Sequence, residues 1–221
     1  MEIRKNLLGF LSTIPKHVQL VAVSKTKPNE AVQEAYDAGQ RIFGENKVQD
    51  LSAKAEQLPM DIDWHFIGHM QTNKVKYIAP FVKMIHAVDS IKLLKEINKQ
   101  ALKNNRIIDC LLQFHIAKES TKFGLNINEA EELLKNNDLN SLKNINIVGV
   151  MGMATYTDDI QQIRAEFKQL NYYFNLLKND FFNNNSNFKE ISMGMSGDYQ
   201  IAIEEGSTMI RIGTKIFGKR N

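Results

Sequence analysis

The sequence predicts an α/β protein built as a (β/α)8 TIM barrel, and three observations lead there. Short β-rich runs alternate with helix-periodic segments from about Leu20 onward, with no break in composition between them. Several runs, such as LVAV at 20–23 and NIVGVM at 146–151, are continuously apolar, as parallel strands buried on both faces require. The 221 residues approach the roughly 250 of a typical barrel and are read as one domain over 1–221.

The elements follow in order. Leu7, Leu8, Phe10 and Leu11 form an apolar stretch after Arg4 and Lys5. Glu2 ahead of it, the missing small-x-small cleavage site and Pro15 behind it argue against a secretory signal, so an amphipathic helix is expected. Strands are expected near 20–23, 41–43, 64–67, 84–88, 109–114, 145–151, 190–192 and 209–212. Helices are expected over 30–38, 48–58, 72–78, 91–102, 129–134, 160–177 and 199–204. Pro28 brings a φ already suited to a first turn, Asp89-Ser90 can cap the helix after it, and Asn46 is placed to cap the helix at 48. The polar run Asn183-Asn184-Asn185-Ser186-Asn187 is expected to be a mobile loop.

Composition narrows the function classes. A hydrophobic share of 43% and a charged share of 24% are those of an ordinary globular chain. The net charge of +3 has no clustered basic stripe, so no nucleic-acid partner is expected. No run approaches the ~18 apolar residues of a membrane span. The single cysteine, Cys110, excludes a disulfide framework and reads as a core residue of a cytoplasmic protein in a reducing compartment.

Chemistry concentrates at one end of the expected barrel. Lys25, in LVAVSKTKP, follows the first strand at the carboxyl rim, where barrels build their sites. A desolvated amine there can condense with an aldehyde, whereas a surface lysine would merely start a loop. Lys27 abuts Pro28 and is the weaker candidate. Ser192-Met193-Gly194-Met195-Ser196-Gly197 leaves the seventh strand, and Arg211-Ile212-Gly213-Thr214 leaves the eighth. Paired glycine and hydroxyl turns after strands seven and eight suit a phosphate. Asn46 in FGEN either caps a helix or contacts a ligand at the same rim. His65 and His69 are four apart but on a strand-to-loop segment with no glutamate after His65, so no metal is expected. His65 is read as a hydrogen-bonded histidine near the barrel floor or mouth, and His86 and His115 as structural. No Ser/His/Asp order or carboxylate pair for hydrolysis stands out.

Taken together, LVAVSKTKP, FGENKVQD, WHFIGHMQTNK and ISMGMSGDYQIAIEEGSTMIRIGTKIFG closely resemble the YggS/PROSC family of pyridoxal phosphate homeostasis proteins, from about Leu20 to Gly218. The resemblance implies a barrel similar to the N-terminal domain of alanine racemase, binding pyridoxal 5′-phosphate and influencing vitamin B6 and amino-acid pools without established catalysis. It implies that Lys25 carries the Schiff base. Ser196, Gly213 and Thr214 would contact the phosphate, Ser192 and Gly194 would shape that loop, and Arg211 would face the pyridine nitrogen. Asn46 and His65 would lie near the cofactor. Met70 stands where leucine is commoner, and Leu125 where phenylalanine normally follows Lys122-Phe123-Gly124.

An arginine against the pyridine nitrogen disfavours its protonation and makes the ring a poorer electron sink. Racemases offset this with a second acid/base group, a tyrosine from a C-terminal β domain. The chain ends at Asn221 and is read as lacking that domain. The expectation is a carrier or regulator of the cofactor rather than an enzyme, with free amino acids and apo-enzymes as partners. Its rivals are a minimal racemase or aldolase acting on amino acids through Lys25 and, more distantly, a sugar-phosphate aldolase.

Overall fold

The computed structural model describes residues 2–119 and 123–219. Eight parallel strands close into a barrel in chain order, with β1 (Gln19–Val23) hydrogen-bonded to both β2 (Ile42–Glu45) and β8 (Met209–Ile212). Between them lie β3 (Asp63–Phe66), β4 (Met84–Val88), β5 (Ile108–Phe114), β6 (Ile145–Gly152) and β7 (Glu190–Ser192). The helices are α1 (Glu2–Leu11), α2 (Asn29–Asp37), α3 (Val48–Gln57), α4 (Val75–Ile78), α5 (Ile91–Lys103), α6 (Ile127–Lys135), α7 (Ile160–Phe181), α8 (Tyr199–Glu204) and α9 (Thr214–Phe217). All eight expected strands are present, because continuous apolar runs are what a sheet covered on both faces needs.

The differences are local. The expected helix at 72–78 splits into a 3-10 turn, Thr72–Lys74, and α4. The helix expected to end at 177 continues to Phe181, and α9 was not foreseen. Ser90 caps α5 as expected, accepting from the Leu93 amide. Asn46 does not cap α3. Lys47 holds that position, and no side chain caps it. The α6 start carries a full capping box, in which Asn126 accepts from the Glu129 amide and Glu129 accepts from the Asn126 amide. Residues 183–187 form turns between α7 and β7, where Asn185 accepts from the Asn187 amide.

The core has two shells. Phe43, Leu51, Phe66, Ile85, Leu94 and Phe167 are among the residues filling the layer between strands and helices, and Cys110 is buried with them. Val21, Met84, Leu111, Val148, Met151 and Met209 fill the barrel lumen. On β1, Leu20 and Ala22 belong to the outer shell and Val21 to the lumen. That lumen parity, carried two residues at a time, runs through Val23 to Lys25.

One close approach limits the lumen wall. Where β5 and β6 shift register, Leu111 pairs with Gly149, and a Cβ on Gly149 would lie 1.8 Å from the Glu190 carbonyl oxygen. Gly149→Ala must push β6 from β7 and is expected to lower stability by about 1–3 kcal/mol. A urea midpoint that does not move would show that the two strands can part without cost.

Candidate functional site

At the carboxyl rim of β1, the segment around Lys25 is held on both sides. Ser24 is fully buried, its amide donates to the Gly44 carbonyl at 3.1 Å, and its hydroxyl donates to Glu45 Oε1 at 2.6 Å. Lys54 Nζ reaches the same Glu45 oxygen at 2.5 Å and the Ser24 carbonyl at 2.8 Å. Lys54 is delivered there because Val48, Leu51 and Lys54 share the buried face of α3. Beyond Lys25, the Lys27 amide closes a turn onto the Ser24 carbonyl at 3.0 Å. Thr26 sits in that turn at φ 65°, a left-handed conformation that a β-branched residue rarely adopts. Such backbone strain tends to collect where a chain holds a functional group. Lys25 itself is half-buried. Lys27 sends its ammonium to the Lys219 carbonyl at 2.9 Å.

The loops after β7 and β8 meet this rim. Gly194 has φ +96°, and a Cβ there would lie 2.6 Å from the Ala202 methyl, so the turn needs glycine on both counts. The Gly194 carbonyl accepts from the Arg211 amide at 2.9 Å, and the Met195 amide donates to Asp198 Oδ1 at 2.5 Å. Ser196 is half-buried, Gly213 is half-buried and Thr214 is exposed. A Cβ on Gly213 would stand 3.2 Å from the Val23 carbonyl oxygen, which sets this loop directly against the strand that carries Lys25. The structure therefore brings the lysine and both turns to one arc of the rim, across the β8–β1 pairing.

Beneath that arc lies Arg211, the register partner of Val21, with only 4% of its surface exposed. Its Nη1 donates to Ser192 Oγ at 2.6 Å and its Nη2 to the Gly152 carbonyl at 3.1 Å. Burial lowers its pKa to about 10, partly opposed by the Asp198 carboxylate, so it remains a cation at neutral pH. Ser192 Oγ lies 3.0 Å from His86 Nδ1, and His86 Nε2 lies 3.0 Å from His65 Nδ1. Burial pushes the His65 pKa down to about 3, helped by the Lys83 charge, and pushes His86 well below the usual histidine range, helped by His65 and Arg211. Both imidazoles are neutral.

His65 is thus at the floor rather than the mouth. It lines a cavity of about 460 Å³ at the amino-terminal end of the strands, and hydrogen bonds through His86, Ser192 and Arg211 link it to the rim. Asn46 stands exposed on the carboxyl side of β2. His69 stacks on Phe123 with centroids 4.2 Å apart, and among the described residues no group of three His, Cys, Asp or Glu side chains could hold a metal. Lys122 lies outside the described residues. Sequence reasoning missed Glu45, Lys54 and the part His86 plays. Lys54 had a usable signal, a lysine on the apolar stripe of its helix.

An amine, two hydroxyl-and-glycine turns and a buried guanidinium on one arc form a donor set for an anionic ligand that also carries an electrophilic carbon. The fold and this arrangement define a class. The chain matches the alanine racemase N-terminal domain family over residues 1–221 and belongs to it. Alanine racemase of Clostridium difficile shares the fold at a TM-score of 0.77 and 12% identity, over 99% of this chain and 57% of that one. Within that class the chain belongs to the pyridoxal phosphate homeostasis proteins. The relative of that name from Aquifex aeolicus is 39% identical over 203 residues, 91% of this chain and 87% of the relative. PipY of Synechococcus elongatus, whose structure has been solved with pyridoxal phosphate bound, superposes at a TM-score of 0.88 and 35% identity, over 98% of this chain and all of that one. Among the described residues no helix is long and apolar enough to cross a membrane.

Proposed function

We propose that this chain binds pyridoxal 5′-phosphate through Lys25 and serves intracellular pyridoxal phosphate homeostasis as a carrier or regulator, without turnover. The observation that carries this reading is the seating of Gly213 against Val23, which sets a hydroxyl-and-glycine cradle beside Lys25. When bound, the cofactor supplies an aldehyde that condenses reversibly with an amine. In this reading Lys25 provides the amine, and Ser196, Gly213 and Thr214 hold the phosphate. Ser192 and Gly194 shape the loop. Arg211 is presented to the ring nitrogen, Asn46 contributes a polar contact at the rim, and His65 acts from below through His86.

The donor set fits the cofactor because amine, anion cradle and cation occupy successive positions along one pair of strands. A guanidinium held by Ser192 and Gly152 keeps a proton off a neighbouring ring nitrogen, and this favours storage over carbanion chemistry. Free amino acids and apo-enzymes are the proposed recipients, reached by exchange of one amine for another at the open rim.

Borohydride reduction of the loaded protein followed by mass mapping tests the assignment. The expected label is on Lys25, and Lys25→Ala is expected to lose the visible absorption entirely. A label on Lys27 or Lys74, or a coloured Lys25→Ala protein, would overturn it. A minimal racemase or aldolase would exchange the α-hydrogen of amino acids into solvent, and no such exchange is expected here.

A further inference from the structure

We propose that His86, supported by His65, is a positioning residue for Arg211: a buried line of hydrogen bonds from the amino-terminal cavity sets how the guanidinium is presented at the rim. This rests on the reading that places Arg211 against the cofactor's ring nitrogen. The line crosses the lumen from β3 and β4 to β7 and β8, through His65, His86, Ser192 and Arg211. Each of the four is at least nine-tenths buried, beside a lumen cluster of methionine and aliphatic side chains. Two histidines with their rings tilted 53° to one another there are costly unless their polar atoms are used.

The order of donors follows from valence. Arginine has donors only, so Ser192 Oγ accepts from Arg211 Nη1. A hydroxyl accepting from a cation is polarised to donate onward, and its neighbour is His86 Nδ1 at 3.0 Å. With Nδ1 accepting, the neutral His86 ring carries its hydrogen on Nε2 and donates it to His65 Nδ1 at 3.0 Å. His65 then carries its own hydrogen on Nε2, the nitrogen left for the cavity it lines with Asp63, Lys83, Asp109, Asn146 and Glu190. Every hydrogen points away from Arg211, so the chain is anchored at one end by a permanent cation and at the other by a polar cavity. The depressed pKa values of both histidines keep the line in this one state. The alternative, with His86 donating to Ser192, makes the hydroxyl accept twice and leaves its own hydrogen to find another acceptor.

Removing His86 frees the Ser192 hydroxyl to rotate and loosens the hold on Nη1, leaving the Gly152 carbonyl to aim the guanidinium alone. His86→Leu, loaded with pyridoxal phosphate, is expected to keep the borohydride label on Lys25. The pH midpoint of its visible band is expected to shift by about one unit or more, tenfold in the underlying equilibrium. His86→Asn, whose amide can take the place of Nδ1, is expected to restore most of the wild-type titration. Independently, the ring-nitrogen NMR spectrum of the unloaded wild-type protein is expected to show both histidines neutral with Nε2 protonated. The proposal is overturned if folded, labelled His86→Leu titrates like the wild type. It is equally overturned if the spectrum shows His86 protonated on Nδ1, which decides the matter even where His86→Leu fails to fold. A wild-type protein labelled somewhere other than Lys25 would instead refute the cofactor reading, while leaving the spectrum to test the hydrogen-bond line on its own.

Discussion

Lys54→Met is expected to lower the unfolding free energy by about 3–5 kcal/mol, the cost of leaving a buried charge without its partner. Glu45 is fully buried, and its Oε1 is held by Lys54 at 2.5 Å and Ser24 at 2.6 Å, while Oε2 has no partner among the described residues. The carboxylate already lacks half of its hydrogen bonds, so Lys54 carries most of its compensation. Burying the pair at all was expensive, and replacing both members need not be. The double variant Glu45→Met/Lys54→Met is therefore expected to recover most of the loss, by a coupling that urea titrations of the two singles and the double measure directly. Equal losses in Lys54→Met and the double would show that packing, not the ion pair, carries the effect. The same pair ties the Ser24 carbonyl to the end of β2, so Lys54→Met is also expected to loosen the segment that presents Lys25. Slower borohydride labelling of that lysine would report it.

What could be read without the structure was whatever is local in the chain. The eight strands were legible because burial on both faces leaves a continuous apolar run, and Lys25, Ser196, Gly213 and Thr214 stood out because each sits in a short motif at a strand's end. Asn46 misled because asparagine favours a cap. The β2 ladder runs on through the Glu45 carbonyl to the Ile67 amide, which keeps the chain extended and moves the cap to Lys47. The short α9 has too few residues to show a helical period. The line from His65 to Arg211 was invisible for another reason. His86 and Ser192 are 106 residues apart, and only closure of the barrel, with one parity of every strand turned inward, puts them in contact. Glu45 and Lys54 are nine apart, near enough to notice, but the pairing needs α3 packed on β2 before it means anything.

The same buried histidines make acid the solvent condition to which the unloaded protein is expected to be most sensitive. In the unfolded chain each titrates near 6.5. In the fold, burial holds His65 at about 3 and His86 well below its ordinary value. Below pH 6.5 the unfolded state therefore binds protons that the native state refuses, so stability falls as pH falls. The loss is about 1.4 kcal/mol per pH unit for each histidine and stops only where the native rings themselves protonate. Between pH 6.5 and 4.5 His65 alone removes about 2 kcal/mol, and His86 adds to the loss in the same direction. Ordinary carboxylates titrate near pH 4, so the upper part of this window belongs to the histidines. Urea unfolding at half-unit steps from pH 7.5 to 4.5 is expected to show this slope in the wild type. His65→Gln/His86→Gln is expected to be less stable at pH 7.5 yet nearly flat down to pH 5. A wild-type stability that does not change between pH 7 and 5, or a double variant that keeps the full slope, would mean that the imidazoles accept protons without unfolding the barrel.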